Sequence, residues 1–403
     1  MTSDVASLNT DLERPRRRAR EMIGAVRALA PRVIARVGAI ESARTLPRDL
    51  VDELRELGLF RMVVPKSHGG YELRLRDCCE IVAEVARIDG SIGWFAMVTA
   101  FSPLILGMLP PPVYDDVYRN GPDIIVAGSA ALGGTVTLGE THDVLNGRWP
   151  FASGCQHADW MFGFCLASAG SQPVAGTREG APPLRIAVLP AREWTIEDTW
   201  LAAGLKGTGS HHIVARDRTV PRARVIDPFA RHAPGPAALF QAGASIFPTT
   251  HAPFAVGLAK GAIDDLLALA HSGKRAMYAR TPVKDTPIFQ YELGRADAQV
   301  RAAAALMHEQ CEQDWQDCLA GQAHDPEKVA QRFQAATWIT ETCAHAVNLC
   351  YQLGGGTAVM ESSPLQRRAR DMLAATQHIA VNARNYLTAG QGRMGMISGH
   401  SSF

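Results

Sequence analysis

The sequence predicts a mainly helical α+β protein with an N-terminal helical domain, a central β domain and a C-terminal four-helix bundle. Apolar residues recur with helical spacing from about residue 13 to 118, and again from about 237 to 386. Between these regions, residues 124–225 form short runs rich in Val, Ile, Thr and aromatic residues, interrupted by Gly, Asn and Pro. We therefore expect domains at residues 1–120, 121–232 and 233–403.

Composition and charge describe an ordinary globular protein. The chain has 403 residues, 47% of them hydrophobic, and a formal net charge of +1. This balance argues against a large electrostatic footprint for nucleic acid. The one dense basic run, from Arg14 to Arg20, is expected to be a solvated helix start. The sequence shows no signal peptide and no long apolar segment, so we expect a cytoplasmic protein without a membrane or nucleic-acid partner.

The eight cysteines are expected to be reduced thiols that bind no metal. No pair has the CxxC spacing. Cys343, His345 and Cys350 form a weak metal pattern on one predicted helix, but a structural zinc site needs four ligands. Reduced cysteines also agree with a cytoplasmic location.

Long helices are predicted on both sides of the β region. The N-terminal ones are Ala19–Val37, Leu50–Leu59 and Cys78–Val98, and the C-terminal ones are Pro253–Ser272, Gln290–Ala320 and Pro326–Leu353. Pro65 and the pair Gly69-Gly70 predict a tight loop after the second helix. Two of the C-terminal helices open on a proline, which the first helical turn tolerates. These helices indicate an antiparallel bundle, which we expect to form an oligomer interface as well as a core.

The β region carries turn and loop signals. Asn146-Gly147 predicts a hairpin turn, because both residues tolerate positive φ. The Ser-, Gly- and Pro-rich stretch Ala167–Pro183 predicts an exposed loop. His211 and His212 are expected to begin a later strand, with one of them facing solvent.

Five local patterns stand out along the chain. They are Ala86–Trp94, Gly128-Ser129, Arg148–Trp160, Leu205–Ser210 and the C-terminal segment that contains Gly354–Gly356, Arg370-Asp371 and Thr376-Gln377-His378. Their sequences and order resemble the acyl-CoA dehydrogenase family over nearly the whole chain. They are more similar to the flavin-dependent monooxygenases that share this fold, such as the oxygenase components of p-hydroxyphenylacetate hydroxylase and dibenzothiophene monooxygenase, than to the dehydrogenases.

The C-terminal segment differs from the dehydrogenases in its chemistry. In that family a helix entered through an Arg-Asp pair leads to a glutamate that removes the substrate α-proton. Here the matching turn of helix reads Thr376-Gln377-His378 and has no carboxylate. The resemblance therefore implies that His378 faces flavin and substrate. Its ordinary pKa of about 6.5 allows it to accept a phenol or indole proton, or to donate one to a flavin oxygen. Arg370 and Asp371 are expected to anchor the helix.

The resemblance also implies where the flavin lies. Trp149, Phe151 and Ser153 are expected to alternate along one face of a strand, which offers an apolar wall and a hydroxyl. Ser153 is the candidate contact for flavin N5, where it would stabilise a C4a-hydroperoxide. The loop Gly207-Thr208-Gly209-Ser210 is not a Walker-type phosphate loop. Its small residues let backbone N–H groups approach a ligand, and the resemblance places it beside the flavin.

A homotetramer is a further implication of the resemblance. In such an assembly Gly354 and Gly355, together with either Arg275 or Arg280, are expected to lie near a neighbouring subunit's cofactor. The two glycines are therefore candidate cofactor-binding residues.

The substrate side of the pocket is expected to contain aromatic residues and a hydroxyl. These residues are Trp94, Phe95, Phe101 and Ser129. The alternative is that the aromatic residues belong to the core. His157 is a candidate acid-base residue, because positions i and i+2 of a strand, here His157 and Asp159, share a face. Asp159 itself is expected to be structural, as it is in the dehydrogenases.

The resemblance implies the oxygenase component of a two-component flavin-dependent monooxygenase. Reduced FMN or FAD would diffuse from a separate NAD(P)H-flavin reductase, since this chain has no nicotinamide fingerprint. O2 would add at flavin C4a in a dry pocket, and one oxygen atom would hydroxylate a small aromatic or indolic substrate.

Three alternatives remain open from the sequence. An acyl-CoA dehydrogenase-type flavoenzyme needs a carboxylate in the pocket, and Glu361 is poorly placed because it precedes the Arg-Asp pair. An N-oxygenase of an amine is a variant of the same chemistry. A non-catalytic helical assembly protein would have no affinity for flavin.

Overall fold

The computed structural model describes residues 2–170, 172–174, 183–228 and 237–396. The N-terminal helices are α1 (Thr2–Ile34), α2 (Val37–Ala43), α3 (Arg48–Glu56), α4 (Leu75–Ile88), α5 (Gly90–Phe101), α6 (Pro103–Leu106) and α7 (Pro111–Tyr118). The basic run lies within α1. The predicted tight loop follows α3, and Gly69 adopts the left-handed conformation there (φ +83°).

The predicted helix Cys78–Val98 is wrong in one respect, because it is two helices that meet at Asp89. Asp89 has an extended backbone (φ −156°, ψ 148°), and its carboxylate accepts hydrogen bonds from the backbone N–H groups of Ser91 and Ile92. Asp89 therefore caps α5. The apolar spacing continues across the break because both helices are largely buried. After this break, α5 runs through the buried interior of the molecule.

The central part is a mixed sheet. Its strands are β1 (Val126–Thr137), β2 (Asp143–Ala152), β3 (Trp160–Ala169), β4 (Gln172–Pro173), β5 (Leu184–Pro190), β6 (Thr195–Glu197), β7 (His211–Val220) and β8 (Val225–Ile226). The strand order is β6-β7-β2-β1-β3-β5-β8, with β4 beside β3. Strands β1 and β3 are parallel, and the other pairs are antiparallel. His211 and His212 begin β7, as expected.

The predicted hairpin turn at Asn146-Gly147 is wrong, because both residues lie inside β2. They pair with Thr135 and Gly134 of β1. A Cβ on Gly147 would lie 2.6 Å from the indole of Trp149, and a Cβ on Gly134 would lie even closer to that ring. Glycine at position 147 therefore leaves the space that the fully buried Trp149 needs, and it does not mark a turn.

The C-terminal part is a bundle of long helices. They are α8 (Phe247–His271), α9 (Pro287–Leu319), α10 (Pro326–Gly354), α11 (Pro364–Ala375) and α12 (Arg384–Arg393). Together with the N-terminal helices and the sheet, they confirm the predicted mainly helical α+β class. Helix α10 opens on Pro326 as predicted, and the Asp325 carboxylate caps it.

The predicted start of the first bundle helix at Pro253 is wrong. Helix α8 begins at Phe247, with Pro248 in its first turn, so Pro253 lies in its interior. Pro253 has no N–H, and the carbonyl of Thr249 therefore lacks its helical donor. The hydroxyl of Thr249 donates to the buried carboxylate of Asp314 on α9. This contact fixes the first turns of α8 against the bundle.

A buried ionic network joins the bundle helices. Arg332 of α10 is fully buried, and its Nε donates to Asp314 of α9 at 2.7 Å. Its Nη2 lies 3.4 Å from the carboxylate of Asp317. Removing one partner from such a network leaves an uncompensated buried charge, so this cluster holds α8, α9 and α10 in register.

Some sequence predictions concern whole segments. Ala167 is buried within β3, and residues 171 and 175–182 of the predicted loop Ala167–Pro183 lie outside the described residues. The division at residues 120/121 and 232/233 stays a proposal, and its first boundary falls between α7 and β1. Among the described helices, none is both long enough and apolar enough to span a membrane.

The cysteines are free and buried. On α10, Cys343 and Cys350 face the interior of the protein, whereas His345 is exposed on the other side of the helix. In the described ranges, no group of three or more His, Cys, Asp or Glu side chains is arranged to hold a metal ion.

Candidate active site

Trp94 of α5 lies where the N-terminal helices, the sheet and the bundle meet. Its indole Nε1 donates to the Ser153 hydroxyl at 3.1 Å. Its ring stands edge-on to the rings of His251 (5.2 Å between centroids), Phe254 (5.1 Å) and His378 (5.6 Å). The structure therefore brings together three residues that the sequence singled out, Trp94, Ser153 and His378, with two from α8 that it did not.

Three buried hydroxyls extend from Trp94 into the glycine-rich loop. Ser153 Oγ lies 2.6 Å from Ser210 Oγ, which lies 2.6 Å from Thr208 Oγ1. Thr208 Oγ1 donates to the carbonyl of Leu205 at 2.8 Å. We refer to Ser153, Ser210 and Thr208 as the hydroxyl chain. Their burial leaves little competition from water, so each of these hydrogen bonds is well defined.

The glycine-rich loop is hydrogen-bonded to the turn after β2 and to α5. The N–H of Gly154 donates to the carbonyl of Thr208 at 2.9 Å, and the N–H of Gly207 donates to Ser91 Oγ at 3.0 Å. Gly209 has φ +55°, and a Cβ there would lie 2.5 Å from the side-chain oxygen of Gln156. The glycines therefore let the loop pack closely on the protein, which fixes the positions of its hydroxyls.

The expected alternation of Trp149, Phe151 and Ser153 on one face is wrong. Phe151 has φ +64°, and the pairing of β2 with β7 shifts between Trp149 and Ala152. This irregularity leaves Phe151 65% exposed, while Trp149 is fully buried and donates through Nε1 to the carbonyl of Phe164 at 2.6 Å. Trp149 belongs to the sheet core, so it does not form a wall for a ligand. Ser153 alone of the three reaches Trp94.

His378 lies beyond the helix that was expected to carry it. Helix α11 ends at Ala375, and His378 precedes the short 3₁₀ turn Ile379–Val381. Its Nδ1 accepts a hydrogen bond from the N–H of Ala380 at 3.3 Å. His378 retains exposed surface, yet the protein surrounds it so densely that desolvation lowers its pKa to about 4. A residue in the wall of a cleft has both properties.

These contacts define the protonation state of His378. A ring with a pKa of about 4 is neutral at pH 7, and a neutral imidazole carries one N–H. Because Nδ1 accepts from Ala380, the network assigns the proton to Nε2. His378 therefore presents a hydrogen-bond donor through Nε2. A neutral imidazole does not release this proton at pH 7, so the proton-donating role that the sequence suggested would need a protonated ring.

His251 of α8 is the site residue that sequence reasoning missed. It is 2% exposed and stacks on His378, with 4.9 Å between ring centroids and 28° between planes. Burial, and then the neighbouring His378, hold the pKa of His251 well below its usual range. Neither of its ring nitrogens has a hydrogen-bond partner among the residues the structure describes. The signal in the sequence was a histidine among the apolar residues of the first half of α8.

The residues around Trp94 fit a flat, neutral ring with polar edges, such as a flavin. The hydroxyl chain, an indole N–H and two neutral imidazoles supply donors and acceptors without a formal charge. The unpartnered nitrogens of His251 show unused polar capacity in the same cluster. No carboxylate contributes to the pKa shift of His251 or of His378. Within the part of the chain that the structure describes, this cluster therefore shows no carboxylate base of the kind that α-proton removal requires.

Comparisons with known proteins agree with this geometry. Residues 17–108 match the acyl-CoA dehydrogenase N-terminal domain, and residues 249–383 match the acyl-CoA dehydrogenase C-terminal domain. The indole-3-acetate monooxygenase of Pseudomonas putida is 30% identical over 365 residues, which cover 88% of this chain and 89% of that protein. The chain belongs to the flavin-dependent monooxygenases of the acyl-CoA dehydrogenase family.

Two further relatives extend the match to the whole molecule. The oxygenase component of the FADH2-dependent resorcinol hydroxylase of Rhizobium sp. is 30% identical over 386 residues, or 90% of each chain. The crystal structure of the 3-HSA hydroxylase from Rhodococcus sp. RHA1 has a TM-score of 0.86 at 26% identity, over 94% of this chain and 98% of that one. This monooxygenase therefore matches its relatives at nearly full length.

His157 of this monooxygenase does not lie in a strand as predicted. It ends the short 3₁₀ turn Cys155–His157. Its Nε2 lies 3.1 Å from Thr45 Oγ1, and its ring packs edge-on against Phe95 at 5.8 Å. Burial lowers the pKa of His157. Asp159 accepts a hydrogen bond from the N–H of Ile125 at 2.8 Å, which agrees with the structural role expected for it.

The other predicted substrate residues are engaged in packing. Phe95 and Phe101 are 1% exposed and belong to the main core, and Phe95 stands edge-on to Phe60 at 6.1 Å. Ser129 is buried at an irregularity of β1, where its hydroxyl accepts from the N–H of Ala131 at 3.2 Å. These contacts support the core alternative for the two phenylalanines. Trp94 is the aromatic residue that reaches the cluster.

The predicted subunit-contact residues lie at one end of the bundle. Gly354 ends α10, and Gly355 follows it with φ +58°. Lys274 donates to the hydroxyl of Thr357, which connects this turn to the exposed segment that carries Arg275 and Arg280. The structure therefore places the glycine turn and this segment side by side.

Arg370 and Asp371 anchor α11, as expected. Arg370 pairs with Glu41 at 2.9 Å and donates to the carbonyl of Ala203 at 2.6 Å. Asp371 accepts from the N–H of Leu205 at 2.6 Å. Burial, and then the nearby carboxylate of Asp89, raise the pKa of Asp371 to about 7. Together the pair positions the segment that leads into the glycine-rich loop.

Proposed function

We propose that this chain is the oxygenase component of a two-component monooxygenase that hydroxylates a small aromatic or indolic molecule. The observation that carries the proposal is the stacked pair of neutral histidines, His251 and His378, beside Trp94. The resemblance gives His378 roughly the position of the dehydrogenase base. Reduced flavin, when bound, supplies the electrons that activate O2. The protein's part is to bind, orient and exclude water.

Each group around Trp94 has a proposed task. Ser153 binds the flavin at N5, and the loop from Gly207 to Ser210 lies alongside the ring. His378 donates a hydrogen bond from its Nε2–H to the reacting oxygen. His251 accepts a hydrogen bond from the substrate's ring O–H or N–H, because its nitrogens have no other partner in the described structure. Trp94 and Phe254 form the apolar side that keeps water out.

The relatives support the cofactor and partner assignments. One relative is named as FADH2-dependent, and solved relatives include a complex with FADH2 and another with FMN. Several are named as oxygenase components or subunits, which supports a separate NAD(P)H-flavin reductase. We propose reduced FMN or FAD as a diffusible cofactor and O2 as co-substrate. The free cysteines support a cytoplasmic location.

We also propose a homotetramer formed through the bundle. Several large apolar side chains there are exposed in the single chain. They include Trp338 (39%), Leu373 (66%), Ile379 (78%) and Leu387 (64%). Apolar surface of this kind marks subunit contacts. The exposed segment that carries Arg275 and Arg280 lies beside the turn at Gly354 and Gly355, which supports its proximity to a neighbour's cofactor.

A coupled assay tests the proposed function. The purified chain is mixed with a flavin reductase, NADH, FAD or FMN, and a panel of ring substrates that includes indole-3-acetate and resorcinol, under ¹⁸O2. We expect product that contains one ¹⁸O atom and depends on the reductase. Reduction of bound oxidised flavin by an acyl-CoA would support a dehydrogenase instead. Absence of flavin binding would support an assembly protein.

A further inference from the structure

We propose that the hydroxyl chain is a directional relay that makes this site prefer reduced flavin over oxidised flavin. The inference rests on the proposed function, because it takes Ser153 as the residue that binds flavin N5. It adds a role for Ser210 and Thr208, which act through Ser153 and are positioning residues.

The far end of the relay fixes its direction. Thr208 has one hydroxyl proton, which it donates to the carbonyl of Leu205 at 2.8 Å. At the Ser210 contact of 2.6 Å, Thr208 can then only accept. Ser210 therefore donates its one hydroxyl hydrogen to Thr208. At the next contact, also 2.6 Å, Ser153 must donate to Ser210.

The near end agrees with this direction. The indole N–H of Trp94 is a donor only, and it points at Ser153 Oγ from 3.1 Å. Ser153 thus accepts from Trp94 while it donates to Ser210. Its proton points away from the Trp94 side, and what it offers to a ligand is a lone pair.

A lone pair at this position discriminates between the two redox states of a flavin. Reduced flavin carries a hydrogen on N5, so Ser153 can accept a hydrogen bond from it. Oxidised flavin has a bare nitrogen at N5, which is also an acceptor, and two acceptors cannot bond without a proton between them. The relay in its observed direction therefore favours the reduced cofactor that a separate reductase would deliver.

The three hydroxyl protons can turn to point the other way. The free energy required depends on the hydrogen bond from Thr208 to the carbonyl of Leu205, which this reversal breaks. Leu205 is in the left-handed conformation (φ +53°), and its N–H donates to the carboxylate of Asp371 at 2.6 Å. Its carbonyl also accepts from Trp200 Nε1 at 2.9 Å and from the backbone N–H of Thr208 at 3.2 Å. Reversal thus removes one hydrogen bond from a carbonyl that keeps two others. One net hydrogen bond corresponds to a preference of about 2- to 10-fold.

Thr208→Val tests the direction of the relay. Without the Thr208 hydroxyl, Ser210 can donate only to Ser153, and Ser153 must then direct its own proton at the ligand. We expect the ratio of Kd for oxidised flavin to Kd for reduced flavin to fall by about 5-fold or more. Anaerobic calorimetric titration with FAD and FADH2 measures both constants. The same change shifts the midpoint potential of bound flavin by about 20 mV, since a tenfold change in ratio corresponds to 29.6 mV for two electrons.

Thr99→Val is the matched control. Thr99 is a buried threonine whose hydroxyl also donates to a backbone carbonyl, that of Phe95 at 2.7 Å. It is not part of the hydroxyl chain, so its loss should leave the ratio unchanged. Thr208→Ser keeps the hydroxyl and should restore the wild-type ratio. Ser210→Ala frees Ser153 to turn either way and should reduce the ratio toward that of Ser153→Ala.

The outcomes separate this inference from the proposed function. If Thr208→Val binds flavin with the wild-type ratio, or if Thr99→Val changes the ratio equally, the relay is overturned even when ¹⁸O appears in the product. If Thr208→Val lowers the ratio while no ring substrate is oxygenated, the relay stands and the proposed activity fails. A wild-type protein that binds neither redox state contradicts both. If Thr208→Val does not fold, an unchanged ratio in Ser210→Ala overturns the relay.

Discussion

His378 and His251 lie face to face, and their surroundings decide what each can do. The Nδ1 atom of His378 accepts a hydrogen bond from Ala380, and its pKa is about 4, so the neutral ring donates a hydrogen bond through Nε2. His251 is more deeply buried, and neither of its nitrogens has a partner in the described residues. The sequence indicated His378 through its position after Arg370-Asp371. Nothing in the local sequence of α8 showed that His251 would stack on it, because that contact depends on the packing of two distant segments.

Replacing His378 tests its proposed role as a donor. His378→Phe keeps an aromatic ring beside Trp94 but removes the N–H. We expect turnover to fall by about 100-fold or more, as when a hydrogen-bond donor to a developing negative charge is lost, with reduced flavin consumed to form H2O2, while flavin Kd changes by less than about 3-fold. Product and peroxide are measured in the same reaction. His271→Phe, at the exposed end of α8, is the control, and full coupling in His378→Phe would refute the role.

Asp371 gives a prediction about the pH dependence of stability. Its folded-state pKa is raised from 3.8 to about 7 by burial and Asp89. The folded protein therefore binds a proton that the unfolded chain has released, and stability decreases as pH rises from about 4 to about 7. Asp371→Asn should raise the free energy of unfolding at pH 8 by roughly 1–3 kcal/mol and change it much less at pH 4. Urea unfolding at both values measures this, and a loss of stability at pH 8 would contradict it.

At the scale of elements, periodicity predicted which segments are helices but not where they end. The predicted helix Cys78–Val98 followed a correct apolar pattern, yet Asp89 caps a new helix inside it. Asn146-Gly147 has the composition of a turn, but Trp149 needs the space that Gly147 leaves. In both cases a tertiary contact decided the local structure. Trp149 itself was assigned to the flavin because the positive φ of Phe151 could not be read from the sequence.

The buried network of Arg332 gives a prediction at this scale. Arg332→Met leaves Asp314 in the interior without its cationic partner, while Asp317 keeps its ion pair with Lys328. We expect the free energy of unfolding to fall by about 3–5 kcal/mol, measured by urea denaturation. Arg393→Met is the control, because the Arg393 side chain is 77% exposed and its nitrogen lies 3.9 Å from the carboxylate of Glu327. Exposed ion pairs of this kind contribute about 0–1 kcal/mol to stability. Equal effects of the two substitutions would show that the network does not hold the bundle.

For the whole molecule, the order of helices, sheet and bundle was predictable because each part has its own hydrophobic pattern. The mainly helical α+β class is confirmed, and so is the family. The resemblance predicted His378, Ser153 and the loop Gly207–Ser210 as site residues, since these lie in distinctive local patterns, and their roles stay a proposal. It could not find the hydroxyl chain as a unit, because its members come from the end of β2 and from a loop some fifty residues later.

The measurement that tests the account most directly is a single turnover without any reductase. The protein is loaded anaerobically with one equivalent of chemically reduced FAD or FMN and an aromatic substrate such as indole-3-acetate or resorcinol, and is then mixed with ¹⁸O2. We expect close to one equivalent of product containing one ¹⁸O atom, and mostly H2O2 with His378→Phe. Quantitative H2O2 and no labelled product in the wild type, across the ring substrates tested, would contradict the assignment of this site as an oxygenase.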